Sequence, residues 1–283
     1  VLYFLILLSH IHLRDPLNTR NTLKSLSRVS WAKFKCVEVE LKGARKMKIA
    51  LLGYGKMGRL VEDVARHHNI ETIAHYTRAH PLRADEETRR ALTEVTALID
   101  FSVPEAVLKN IRAAAELPVN LVIGTTGWHH QLDEARQIVE KSGIGLVYGS
   151  NFSLGVNLFY QIVERAAQLL SAFDSYDPFI EESHHKFKKD APSGTALTLQ
   201  KLLAKEYDER PVPVTSVRAG YIPGTHEVSF DSAVDTIRLE HTARSREGFA
   251  EGALLAAKWI AGRKGFYEFR EVLEERLTMK ESR

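Results

Sequence analysis

Cysteine is all but absent: Cys36 stands alone in 283 residues. One cysteine excludes an internal disulfide and a thiolate metal site, and it fits a reducing compartment, so the expected location is cytoplasmic. Long apolar runs are missing too. Val1–Leu8 is apolar but falls far short of the roughly 20 residues of a membrane span, and no positive region precedes it as in a secretory signal, so no membrane partner is expected. A general excess of one charge sign is also lacking. The formal net charge is +3, but the first 46 residues hold nine Lys and Arg against three Asp and Glu, which leaves the rest slightly acidic at −3. Nothing there offers nucleic acid a basic field.

What is present is 44% hydrophobic and 27% charged, a globular balance, with length for two modest domains. The first 46 residues read as an extension, disordered or lying upstream of the natural start. The basic, acid-poor run Arg14–Lys35 leaves a targeting segment as the alternative, and His10 and His12 form too isolated a pair to signal a metal. The expected division is a dinucleotide-binding domain over 47–152, a substrate-binding and oligomerisation domain over 153–244, and C-terminal helices over 245–283 that return to the first domain.

Met47–Gly53 is a continuous apolar run of strand length running straight into Gly53-Tyr54-Gly55-Lys56-Met57-Gly58. Met57, Leu60, Val61, Val64 and Ala65 follow at the spacing of one helix face, and a second strand over Glu71–Thr77 closes a βαβ unit. A bare G-x-G-x-x-G means little, but between such a strand and such a helix it predicts a Rossmann-like nucleotide turn, an α/β fold with a parallel sheet. The second strand ends His75-Tyr76-Thr77-Arg78, with no carboxylate for ribose hydroxyls. Arg78 can pair with a 2′-phosphate or be an ordinary surface arginine, so NADPH is favoured slightly over NADH. Three further strand ends carry small or polar tips: Phe101-Ser102, Gly124-Thr125-Thr126-Gly127 and Gly149-Ser150-Asn151-Phe152. In an open α/β sheet such tips converge on a ligand, here the nicotinamide end of the cofactor. Asn151 reads equally as a simple helix cap, and Arg246 either closes over the cofactor or is a surface charge.

A long amphipathic helix from Ser153 to Phe173 leads to a strand-like run, Tyr176–Glu182, then a helix from Ser193 to Tyr207. Strand-like runs at Val214–Ala219, Thr225–Phe230 and Thr236–His241 predict an open mixed or antiparallel sheet with a face free for oligomer contacts. Helices are expected at Ser245–Ala261 and Arg270–Leu277. Between the first strand-like run and its helix lies Glu182–Ala196, with two imidazoles and three ammonium groups in six residues, 184–189. Such a loop entering a helix N-terminus makes an anion site, because free N–H groups and the positive end of the helix dipole lie together. The adjacent pairs His67-His68, His129-His130 and His184-His185 lack local metal-ligand spacing, and no metal is expected.

Glu182–Ala196, with Gly53–Gly58, Gly124–Trp128, Ser150–Asn157 and Arg218–Gly224, resembles the dihydrodipicolinate reductase family of lysine and diaminopimelate biosynthesis. The likeness runs from Met47 to the C-terminus, and its most specific part is His-His-x-x-Lys-x-Asp-x-Pro-Ser-Gly-Thr-Ala. It implies NADPH- or NADH-dependent reduction of the cyclic dicarboxylate 4-hydroxy-tetrahydrodipicolinate, in a homotetramer built through the second-domain sheet. Carried over by position, it makes His184 the acid/base histidine and Lys188 the proton donor. His185, Ser193, Gly194, Thr195 and Thr126 become substrate contacts. The Gly53–Gly58 turn, Arg78, Phe101, Gly124–Thr126, Gly149–Phe152 and Arg246 become cofactor contacts. Residues 1–46 and the missing acid at the second strand tip depart from the family pattern. A dicarboxylate needs cations and free N–H groups, and a lysine crowded by other cations is expected to be the better acid near neutral pH. An amino-acid dehydrogenase on the same fold and a non-catalytic nucleotide sensor are the alternatives.

Overall fold

The computed structural model describes residues 46–281. The extension, Cys36 and the His10/His12 pair lie outside the described residues. Lys46–Arg283 forms one compact unit.

The apolar run after Lys46 becomes β1 (Lys48–Leu52), one strand in from the edge of a six-stranded parallel sheet. Its neighbours are β2 (Glu71–Tyr76) on one side and β3 (Ala97–Asp100) on the other, and β4 (Leu121–Ile123) and β5 (Gly145–Tyr148) continue beyond β3. The order therefore reverses between β1 and β3, the place where open α/β sheets bind ligands at their carboxyl ends. Alternate side chains feed two cores. Ile49, Leu51, Ile99, Val122 and Val147 belong to the core that includes α1 (Lys56–His67), and Ala50, Leu52, Leu98, Leu121 and Leu146 to the core that includes α3 (Pro104–Glu116) and α4 (Leu132–Ser142). Burial on both faces is why these strands read as unbroken apolar runs. Each enclosed aliphatic side chain contributes about 1.5–3 kcal/mol.

The short helix α2 (Glu86–Ala91), capped by Asp85, was not expected from the sequence, and the helix that the sequence starts at His129 opens with a 3₁₀ turn, His129–Gln131, before α4. Nor was a sixth strand, β10 (Gly265–Glu268), which pairs parallel with β5 at the sheet edge.

α5 (Leu154–Leu170) leads into a four-stranded sheet ordered β7-β6-β8-β9, made of β6 (Asp177–His184), β7 (Val214–Arg218), β8 (Thr225–Asp231) and β9 (Thr236–Thr242). β6 and β7 run parallel while β8 and β9 are antiparallel, so the sheet is mixed. Its inner face, with Ile180, Val228 and Phe230, packs on α5 and on α6 (Gly194–Glu206). On its outer face Glu181, Thr215, Val217, Arg238 and Glu240 are exposed. α7 (Glu247–Trp259) then packs beside α1 on the parallel sheet, and α8 (Phe269–Glu281) adds Val272 and Leu273 to the same core. Among the described residues no helix is long and apolar enough to cross a membrane.

Candidate active site

The β1–α1 turn is shaped by absent side chains. Gly53 takes φ +87°, and a Cβ there would come within 2.6 Å of the Phe101 carbonyl oxygen on the neighbouring strand end. A Cβ on Gly58 would sit 2.2 Å from the Gly53 oxygen, whereas one on Gly55 would meet nothing within 4 Å. Two glycines thus serve packing, and the third leaves open space at the mouth of α1. No side chain caps that helix. Free N–H groups facing open space suit a pyrophosphate, so the chain's own geometry fits a nicotinamide dinucleotide. Beside the turn the Tyr54 ring lies 4.0 Å from that of His75, and Glu62 binds both the tyrosine hydroxyl and, at 3.0 Å, His75 Nε2. Arg78 is exposed beyond β2.

A cavity of about 970 Å³ joins the ends of the parallel strands to the mixed sheet. From the first half it is lined by Met57, Phe101, Gly124, Thr126, Ser150, Asn151 and Phe152. From the second come His184, His185, Lys188, Ser193, Gly194 and Thr195, and from the β9–α7 connection Arg246. Thr125 and Gly149 sit differently. Thr125 is buried and donates its hydroxyl to Asp100 Oδ1 at 2.8 Å, and Gly149 is packed against Phe269 and Phe152. Thr125 therefore offers the cavity no hydroxyl. The Asp100 carboxylate also accepts from Ser102 N and Asn110 Nδ2, tying the tips of β3 and β4 together, and burial pushes its pKa up. Asn151 is not the helix cap: Ser153 caps α5 by accepting from Val156 N, while Asn151 Oδ1 receives Ser153 N.

The cationic loop is more ordered by anions than its sequence suggests. Lys188 Nζ reaches both oxygens of Asp190, at 2.9 and 2.8 Å, so it is paired with a carboxylate and not simply crowded by cations. Lys186 lies over Phe187 and Tyr221, away from these groups. Ser193 is buried; it caps α6 by accepting from Ala196 N at 3.2 Å, and its hydroxyl meets His226 Nε2 at 3.0 Å. The Gly194 and Thr195 N–H groups are left free at the helix start, and a Cβ on Gly194 would meet nothing within 4 Å.

Sequence reasoning missed Glu182, Arg218, His226 and His241 as site residues. Strand register collects them: His184 lies beside Arg218, Glu182 opposite His226, and His226 opposite His241. Glu182 binds His184 Nδ1 with one oxygen, and its other accepts from Arg218 Nη2 at 2.6 Å. Burial opposes the Glu182 charge, but the Arg218 and His184 hydrogen bonds outweigh it and hold the pKa at about 2. Burial lowers His184, and burial with the nearby His184 lowers His226 to about 4, so both rings are neutral at pH 7. Glu182, His184 and His226 could in principle surround a cation, their ligand atoms lying within 4.8 Å of one another. The guanidinium on Glu182 disfavours one, because it already supplies the positive charge.

A Rossmann-type crevice opening onto a cavity lined by free N–H groups, imidazoles and a lysine is the arrangement of an NAD(P)H-dependent oxidoreductase. Family models described as dihydrodipicolinate reductase, N-terminus and C-terminus, match residues 47–152 and 155–273. A Christiangramia forsetii protein named 4-hydroxy-tetrahydrodipicolinate reductase is 38% identical over 241 residues, 81% of this chain and 98% of that one. A Methanoregula boonei protein of the same name is 40% identical over 191 residues, 62% of this chain and 74% of its own. The solved structure of a dipicolinate-bound dihydrodipicolinate reductase from a Paenisporosarcina species shares the fold, with a TM-score of 0.68 at 22% identity over 80% of this chain and 99% of that one. The chain belongs to the dihydrodipicolinate reductase family.

Proposed function

We propose that this chain reduces 4-hydroxy-tetrahydrodipicolinate to tetrahydrodipicolinate, a step of lysine and diaminopimelate biosynthesis. The observation that carries the reading is the single cavity in which the nucleotide strand ends face His184, His185, Lys188 and the open start of α6. Overall a hydride and a proton enter the substrate and its 4-hydroxyl leaves as water. The dinucleotide, when bound, supplies the hydride. Gly53–Gly58 would hold its pyrophosphate, with Phe101, Gly124, Thr126 and Ser150–Phe152 toward the nicotinamide end and Arg246 across the cavity.

The chain's own part is binding, orientation and the proton. Gly194 and Thr195 N–H groups grip one carboxylate at the positive end of α6, and His185 and Lys188 face the remaining charge. Lys188 delivers the proton, for it is the ammonium group lining the cavity, while neutral His184 orients it or the substrate. Arg78 supports a preference for NADPH over NADH through a 2′-phosphate. The exposed outer face of the mixed sheet supports a homotetramer, which light scattering would test, and the lone cysteine supports a cytoplasmic setting. Oxidation of NADPH on addition of the condensation product of pyruvate and aspartate semialdehyde tests the activity. Turnover of a simple amino or keto acid instead would favour an amino-acid dehydrogenase, and binding without turnover a sensor.

A further inference from the structure

Glu182 has as yet no part in the reaction, although its side chain is wholly enclosed, bonded to the cavity-lining His184 and Ser193. It lies two residues before His184 on β6, on the same face of the strand. One oxygen, Oε2, meets His184 Nδ1; the other, Oε1, accepts from Arg218 Nη2 at 2.6 Å and from Ser193 N at 3.3 Å. Arg218 comes from β7, His226 faces Glu182 from β8, and Lys188 lies in the following loop. The same Nη2 of Arg218 also donates to the Asp190 carbonyl at 2.6 Å, and the Asp190 carboxylate holds Lys188. Glu182 is thus joined to His184 directly and to Lys188 through Arg218 and Asp190.

An ionised carboxylate can only accept, so the hydrogen between Glu182 and His184 sits on Nδ1, and the neutral ring keeps a lone pair on Nε2. That nitrogen faces Gly224, where φ is +147° and a Cβ would press to 3.1 Å of it. We propose that Glu182 is a positioning residue: it fixes His184 as the Nδ1–H tautomer with Nε2 free to accept, and through Arg218 it holds the 185–192 loop that presents Lys188. The proposal rests on the reductase reading above. A ring so fixed accepts a hydrogen bond from substrate or ammonium and cannot supply the proton, which is left to Lys188. The depressed Glu182 pKa agrees with a permanently charged acceptor.

Glu182→Gln tests this, since Arg218 and Ser193 N both demand an acceptor at the Oε1 position and so turn the new amide N–H toward His184 Nδ1. The variant should place the hydrogen on Nε2, visible in ¹⁵N-labelled histidine spectra. Its kcat should fall by roughly 10²-fold or more, the scale of losing a correctly oriented proton-transfer partner, with the KM for dinucleotide within about twofold. An Nε2–H ring in the wild-type protein, or a folded variant with unchanged kcat, would overturn the proposal. If Glu182→Gln fails to fold, the wild-type tautomer alone decides. Absence of wild-type turnover would sink the reductase reading separately, because the tautomer is read without substrate.

Discussion

Two helix starts face one cavity, and they are built by opposite means. At the start of α1 the chain removes side chains, and three glycines leave a turn and open space. At the start of α6 it adds charge, gathering Glu182, His184, Arg218 and His226 from three strands around a single capping serine. The first kind of site is a shape, set by a contiguous motif and sensitive to a single methyl group. The second is an electrostatic arrangement that depends on which strands pair and in what register. A long cofactor with a flat diphosphate suits the first, and a small dianion that must also receive a proton suits the second.

The largest expected effect lies on the charged side. Lys188→Ala should lower kcat by about 10²–10⁴-fold while dinucleotide binding persists, as followed by NADPH oxidation and by cofactor fluorescence. Near-normal turnover would remove Lys188 from the chemistry.

The glycines sharpen the contrast between shape and packing. Gly58→Ala would force a Cβ to 2.2 Å of backbone and should cost stability, about 1–3 kcal/mol in a melting experiment. Gly55→Ala has open space, so it should leave the melting temperature alone yet weaken dinucleotide binding by about tenfold or more, through loss of close backbone approach. Gly194→Ala should do the same for dipicolinate, used as a dicarboxylate probe, without touching dinucleotide binding. Equal effects of the two open-space variants on both ligands would erase the distinction.

Acid should strike the second site first. His226 has a folded pKa of about 4, below the ordinary 6.5, so the unfolded chain takes up the proton first as pH falls through that window. Its stabilisation is complete above about pH 6.5 and is lost toward pH 4; Glu182 adds a further loss from about 4.5 down to about 2. Between pH 7.5 and 5 the His226 contribution is on the order of 2 kcal/mol, which denaturant melts at both pH values would show and His226→Asn would flatten. A smaller effect belongs to Arg78→Ala, which should raise the KM for NADPH by about tenfold and leave NADH alone.

The same contrast explains what could be read in advance. The parallel sheet, the nucleotide turn and the mixed second sheet were legible because apolar runs, helix spacing and G-x-G-x-x-G are local. The loop's His184, Lys188 and Gly194 were legible as one contiguous pattern. Arg218, His226 and His241 were not, because they join the site only through strand register, Arg218 by way of Glu182, and a lone histidine on a strand is indistinguishable from one in a core. The setting of Lys188 escaped the sequence for a related reason: Lys186 lies over Phe187 and Tyr221, and the partner of Lys188 is the carboxylate of Asp190. β10 escaped notice because four residues next to a helix carry too little pattern to announce a strand.

The most direct measurement of the central claim is a coupled assay in which pyruvate and aspartate semialdehyde are condensed in place and NADPH and NADH oxidation are followed on addition of the protein. The account predicts oxidation that depends on the condensation product, with NADPH preferred. No oxidation of either dinucleotide, with both still bound, would contradict it.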